Sequence, residues 1–193
     1  MADIVLILLI GLFALSGYRK GFAKTLISTL ANIISLVFSI TLTKPVSTLV
    51  FNSPVGNIIS GIAKKTIESN AGNTQLSQSS IEMMAEGIAM TASSVISFVI
   101  IGVVVKIAVV LLAEAIGIVT RLPIIRQANA ALGAVVGVLG GVVISYVLIG
   151  IIYALGESGA MEYGILVQSL EESLICSKMY YNNIVANAIV SVV

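Results

Sequence analysis

The sequence predicts an all-α integral membrane protein: four transmembrane helices, with short amphipathic helices outside the bilayer. Three observations carry this. First, 58% of the 193 residues are apolar and only 10% charged, against about 25% charged in soluble domains. Second, the thirty residues from Gln127 to Gly156 contain no charge, which is longer than a soluble core helix and long enough to cross a bilayer. Third, Gly133, Gly137, Gly141 and Ser145 recur at every fourth position of that stretch. This spacing puts small side chains on one helix face, where a second backbone can come close.

The length suits one membrane domain over residues 1–193, with spans at about 3–18, 22–43, 88–113 and 130–155 and external sections at 44–87 and 156–193. The first span is bounded by Asp3 and by Arg19 and Lys20. Ala14-Leu15-Ser16 resembles a signal-peptidase site, but the positive charges follow the apolar run instead of preceding it, so a span is favoured. The second span carries Thr25, Ser28, Asn32, Ser35 and Ser39 at spacings of three and four, a polar stripe that must face protein or water. Interhelical hydrogen bonding is the favoured reading of this stripe, and a wetted solute path is the alternative. The third span lies within Ile88–Thr120, interrupted only by Lys106 and Glu114. Thirty-three helical residues would extend roughly 50 Å, so a span plus a helical extension is expected.

Between the second and third spans, Asn52-Ser53-Pro54 signals a helix start, followed by the apolar face Val55, Ile58, Ile59 and Ile62. Asn70-Ala71-Gly72-Asn73 breaks that helix, and Ser79-Ser80-Ile81-Glu82 fits a capping box opening the next. Together they predict an amphipathic hairpin lying on the membrane or on the bundle. After the fourth span, acids alternate with apolar clusters up to Val193, which predicts one or two amphipathic helices over the outer face.

Several function classes are excluded. The net charge of +1 offers no basic surface to nucleic acid. Cys176 is the only cysteine, so there is no internal disulfide, and the chain has no histidine, the commonest metal ligand and usual catalytic base. Asp3 is the only aspartate, which excludes a two-aspartate membrane protease. Gly156-Glu157-Ser158-Gly159 lacks the spacing of a serine nucleophile elbow, and no P-loop or dinucleotide fingerprint occurs. No catalytic, cofactor-binding or metal-binding residue is predicted.

Lys106 is the one charge expected deep in a span, where insertion costs about 2.5–3.5 kcal/mol. Snorkelling of its stem to a headgroup leads, with a polar partner on another helix or an ion path as alternatives. Asn32, Ser35 and Lys106 are the candidate polar path. The glycine ladder likewise has two readings. Packing within one chain is favoured, since four spans offer internal partners, and a homo-oligomer is the alternative.

The chain resembles the colicin V production protein family, CvpA. Asp3 with its apolar run, Gly17-Tyr18-Arg19-Lys20-Gly21-Phe22 and Asn129-Ala130-Ala131-Leu132-Gly133-Ala134-Val135-Val136-Gly137 carry the resemblance, with a weaker match from Glu172-Ser173-Leu174 to Tyr180. Ala130 stands where members often have Arg or Lys. The resemblance implies a four-helix protein of the bacterial plasma membrane, linked to toxin production or export and to envelope function. A similar module anchors certain periplasmic serine proteases, and no protease domain is expected here. The partners implied are the lipid bilayer and either a second copy or another envelope protein; an oligomeric pore and a partner-recruiting scaffold are the alternative functions.

Arg19, Lys20 and Lys24 lie between the first two spans, and Arg121 and Arg126 between the last two. By the positive-inside rule these short loops are cytoplasmic and both termini lie outside. A reporter active only in the cytoplasm should therefore work when inserted after Lys20 and stay silent when fused after Val193; the opposite result reverses the topology.

Overall fold

The computed structural model describes residues 2–70, 77–115, 126–158, 165–181 and 183–191. Among these, eight helices form: α1 (Ala2–Lys20), α2 (Phe22–Phe51), α3 (Pro54–Asn70), α4 (Gln78–Ala115), α5 (Arg126–Glu157), α6 (Ile165–Glu171), α7 (Cys176–Tyr181) and α8 (Ile184–Val190). Four of them, α1, α2, α4 and α5, are long and apolar enough to cross a membrane. Ala71-Gly72-Asn73 of the expected breaker, Arg121 and the residues 116–120 lie outside the described residues.

Burial in the bundle is inverted relative to a soluble protein. Ile4, Leu8, Leu12, Val104, Leu112 and Val135 are exposed, whereas Ala31, Ala85, Ala89, Thr43, Ser47, Ser94 and Ser97 are buried. In water such an apolar surface would be far too large for a monomer. In lipid it is the expected outcome, because helix association there rests on close contact between small residues and not on hiding leucines.

α2 turns back from α1 at Gly21, whose φ of +80° is a conformation that side-chain-bearing residues rarely adopt. The helix then runs thirty residues to Phe51, well beyond the stretch to 43 that hydropathy marks. It continues through Pro45, which lacks the N–H that would bond the Thr41 carbonyl. α3 starts where the sequence indicates: the Val55 N–H donates to Ser53 Oγ at 3.2 Å, with Pro54 as the first helical residue. Its Ala63 is buried, while Val55, Ile58 and Ile62 are exposed, so most of the apolar face read in the sequence is turned outward. A 3.5 Å ion pair between Lys64 and Glu82 ties α3 to α4; both partners are solvent-accessible, so it contributes about 0–1 kcal/mol.

α4 is one continuous helix of thirty-eight residues, about 57 Å long, which combines the span with its extension. Its cap differs from the expected box. Ser77, two residues earlier, accepts the Ser80 N–H at 3.2 Å. The hydroxyl nearest the first free amides takes them, so Ser79 and Ser80 fall inside the first turn of the helix.

α1 packs along α5, and α2 along both α4 and α5. α4 and α5 have few contacts with each other. α8 crosses the far end, burying Val185 and Ile189 with Phe98 of α4 and Ala154 of α5. Asn183 fixes this lid: its Oδ1 accepts the Val185 and Ala186 N–H groups, and its Nδ2 donates to the Tyr146 and Met179 carbonyls, both at 2.9 Å. Gly150 makes room for it, because a side chain there would strike Asn183 and Val185.

Candidate functional site

The ladder on α5 faces α1. A Cβ at Gly133 would run into the Gly17 carbonyl and lie 2.8 Å from the Gly21 carbonyl carbon. A Cβ at Gly137 would strike the Phe13 carbonyl, and one at Gly141 would come within 3.1 Å of the Ile10 Cα. The match of Gly17 with Gly133, Phe13 with Gly137 and Ile10 with Gly141 makes the two helices antiparallel. Ser145, the last rung, is buried and donates back to the Gly141 carbonyl at 2.8 Å. Gly140, one residue off the ladder, receives Thr29 of α2.

Asn129 lies at the α1–α2 turn. Its Oδ1 accepts the Phe22 N–H at 2.7 Å. Gly21, the N-cap of α2, brings no side-chain cap of its own, and Asn129 supplies the missing acceptor from α5. Thr25 closes the same turn by donating to the Gly21 carbonyl at 2.7 Å. Arg19 and Lys20 are exposed in the last turn of α1, where the helix dipole favours cations.

A second latch holds the other end. The Asp3 carboxylate accepts the Ser173 hydroxyl and the N–H groups of Leu174 (3.0 Å), Ile175 (3.1 Å) and Cys176 (3.3 Å). A carboxylate taking several amides at a helix start is a strong form of cap. Cys176 is buried beside it, and burial pushes its thiol pKa up. Ser158, from the motif rejected as a nucleophile, donates to the Leu155 carbonyl of its own helix at 3.0 Å.

Asn32, Ser35 and Lys106 come together on one cavity of about 240 Å³ in the cleft between α2, α4 and α5. Ser39 and Phe98 also line it. Asn32 also borders a smaller cavity of about 50 Å³ that reaches Thr25, Ser28 and Lys20 beside the turn. The polar stripe of α2 therefore faces the bundle interior. Some of its hydroxyls bond across helices, as Thr29 to the Val136 carbonyl at 3.4 Å and Ser39 to the Phe98 carbonyl at 3.0 Å. Others spend their proton on their own helix, as Ser35 to the Asn32 carbonyl at 2.9 Å.

A family model described as colicin V production protein matches residues 2–181. The chain belongs to that family. No curated protein and no solved structure matches it. In this colicin V production family chain, the segments that carry the resemblance meet in space. Gly17 and Gly21 pack on Gly133 and Asn129, and Asp3 holds Ser173 to Cys176. Sequence reasoning missed Asn183, Gly140 and Gly150. Asn183 carried a usable signal, an Asn directly before the apolar run from Ile184; Gly140 and Gly150 showed none apart from the ladder.

The α1–α5 seam generates a paired test. Gly137→Leu puts four carbons where the Phe13 backbone lies, beyond the about 1–3 kcal/mol of ordinary overpacking. It should abolish monodisperse folded protein or lower the melting temperature by many degrees. Gly11→Leu, with nothing within 4 Å of its Cβ, should leave stability unchanged or raise it by up to about 1 kcal/mol, since glycine is a poor helix former. Equal melting temperatures for the two variants by size-exclusion thermostability would remove the seam from the account.

Proposed function

We propose that this chain is a non-enzymatic protein of the bacterial plasma membrane that supports production or export of a toxin of the colicin V type, or envelope homeostasis. The observation that supports the reading is the family match over residues 2–181, combined with the use of the matching segments in helix–helix contacts. The basic cluster Arg19, Lys20 and Lys24 at the α1–α2 turn supports a cytoplasmic position for that end and an external one for the termini. In a colicin V-producing strain deleted for its own family member, this chain should restore the zone of growth inhibition around colonies, and Gly137→Leu should not. A wild-type chain that inserts stably and restores nothing would sink the proposal.

A second reading, passage of a small solute, is favoured by one observation: the polar stripe of α2 and Lys106 border the same cleft. Because that cleft lies between spans, passage across the whole bilayer calls for a second copy or another membrane protein to complete the wall. Flux into liposomes should then appear together with a detergent-phase mass above one copy. Strictly monomeric protein without flux would remove this reading and leave the first intact.

A further inference from the structure

We propose that the cleft between α2, α4 and α5 is a binding site for a small monoanion that also carries a hydrogen-bond donor, of which a short hydroxycarboxylate is the simplest example. The anionic group is held by Lys106 and the donor by Asn32.

The first ground is the position of Lys106. It lies nine residues before the end of α4 at Ala115, about 13 Å along the axis. Ser39 packs against Phe98 and Gly102, which sets Lys106 one to two turns further along α4, at the level of Asn32 and Ser35. An ammonium beside a cleft walled mostly by apolar side chains is costly unless it has a partner. Among the described residues the ion pair found joins Lys64 and Glu82, far from it. Glu114 is exposed and lies eight residues on, about 80° around the helix.

The second ground is Asn32. It is only 6% exposed, and its Oδ1 has no hydrogen-bond partner. A buried carbonyl left unpaired is a defect that native proteins seldom keep. The cavity adjoins the Asn32 side chain, and turning the amide about its Cβ–Cγ bond brings the enclosed Oδ1 to a donor placed there.

The third ground is the polarity of the remaining groups. Ser35 and Ser39 give their protons to the Asn32 and Phe98 carbonyls, so toward a ligand each hydroxyl oxygen offers only lone pairs. α2 thus presents hydroxyl lone pairs and the Asn32 amide, and α4 presents a cationic donor. A neutral solute leaves Lys106 uncompensated, a cation is repelled by it, and a dianion leaves a net negative charge in a low-dielectric site. A monoanion leaves the site neutral. The cavity of about 240 Å³ lies below the usual range for drug-sized ligands. Its apolar walls, Phe98, Val147 and Ile151, accept a short carbon skeleton.

This inference deepens the second reading above by naming the class of solute. It is tested by equilibrium binding, so a bound but untransported anion removes passage and leaves the site standing. The probe is radiolabelled lactate on the full chain in detergent micelles. Saturable binding is expected, weakened about tenfold or more by Lys106→Met, restored toward wild type by Lys106→Arg and unchanged by Lys64→Met. Acetate, which lacks the hydroxyl donor, should compete about fivefold or more less well than lactate for wild type and about equally for Asn32→Leu. Independently of any variant, lactate should slow carbamylation of Lys106 by cyanate in the wild-type chain, read by mass spectrometry. The proposal is overturned by folded wild-type protein that shows no saturable lactate binding, by undiminished binding in Lys106→Met, by chloride displacing lactate where acetate and lactate compete equally, or by carbamylation that lactate does not slow.

Discussion

The close approach of α1 and α5 is the contact on which the rest of the bundle depends. Lipid gives no hydrophobic reward for bringing two apolar helices together, so association rests on backbone proximity and on polar contacts. Gly17 and Gly133 supply the first: each carbonyl occupies the space that the other residue's Cβ would need. Asn129 supplies the second by accepting the Phe22 N–H at 2.7 Å. That bond does more than hold the seam. It caps α2 from a helix 107 positions away in the chain and so fixes where α2 begins. The positive φ of Gly21 is needed for the same reason, since the turn must pass close under Asn129.

Once the start of α2 is fixed, its rotational setting follows, and Thr25, Thr29, Asn32, Ser35 and Ser39 turn inward together. The bundle can accept them because most satisfy their own hydroxyls on nearby carbonyls, as Ser35, Thr43, Ser94 and Ser97 do. A Ser or Thr can do this and remain inside lipid at small cost. Asn32 cannot, because its amide oxygen only accepts and the carbonyls around it do not donate. Among the described residues two buried polar atoms are left over after such internal satisfaction, the Asn32 Oδ1 and the Ser93 hydroxyl. Asn32 shares one cavity with Lys106.

Much of this was legible in the sequence, and the part that was not has a common physical cause. The spans were legible because lipid imposes composition directly on the chain. The glycine face was legible because its period is that of the helix. The partner of that face was not, because Gly17 and Gly133 are related only through the fold. Asp3 shows the same limit. Its carboxylate reads locally as a first-turn acid on α1, yet its acceptors are used by amides 171 to 173 positions away. Asn32 and Ser35 share a face by spacing alone, whereas placing Lys106 beside them requires the register of α4 against α2. The length of α2 beyond residue 43 was not legible, because the apolar run stops at Lys44 although tertiary packing of Ser47 carries the helix on.

The cavity itself follows from the seam. α5 has a limited circumference. Its ladder is occupied by α1, and the adjacent face with Gly140 is occupied by Thr29 of α2. α4, already packed along α2, therefore meets α5 only sparsely, and a gap must remain between them. At the end where α1 begins, α8 fills that gap: Val185 and Ile189 pack against Phe98 and Ala154, held by Asn183 on Gly150. Beyond Phe98 no helix among the described residues fills it, and the floor there is the polar stripe of α2 with Lys106 at its side. The face of α5 that carries Val143, Val147 and Ile151 is left to line the cleft. On this physical account the residues that carry the family resemblance and the residues that line the cavity are two consequences of one packing arrangement.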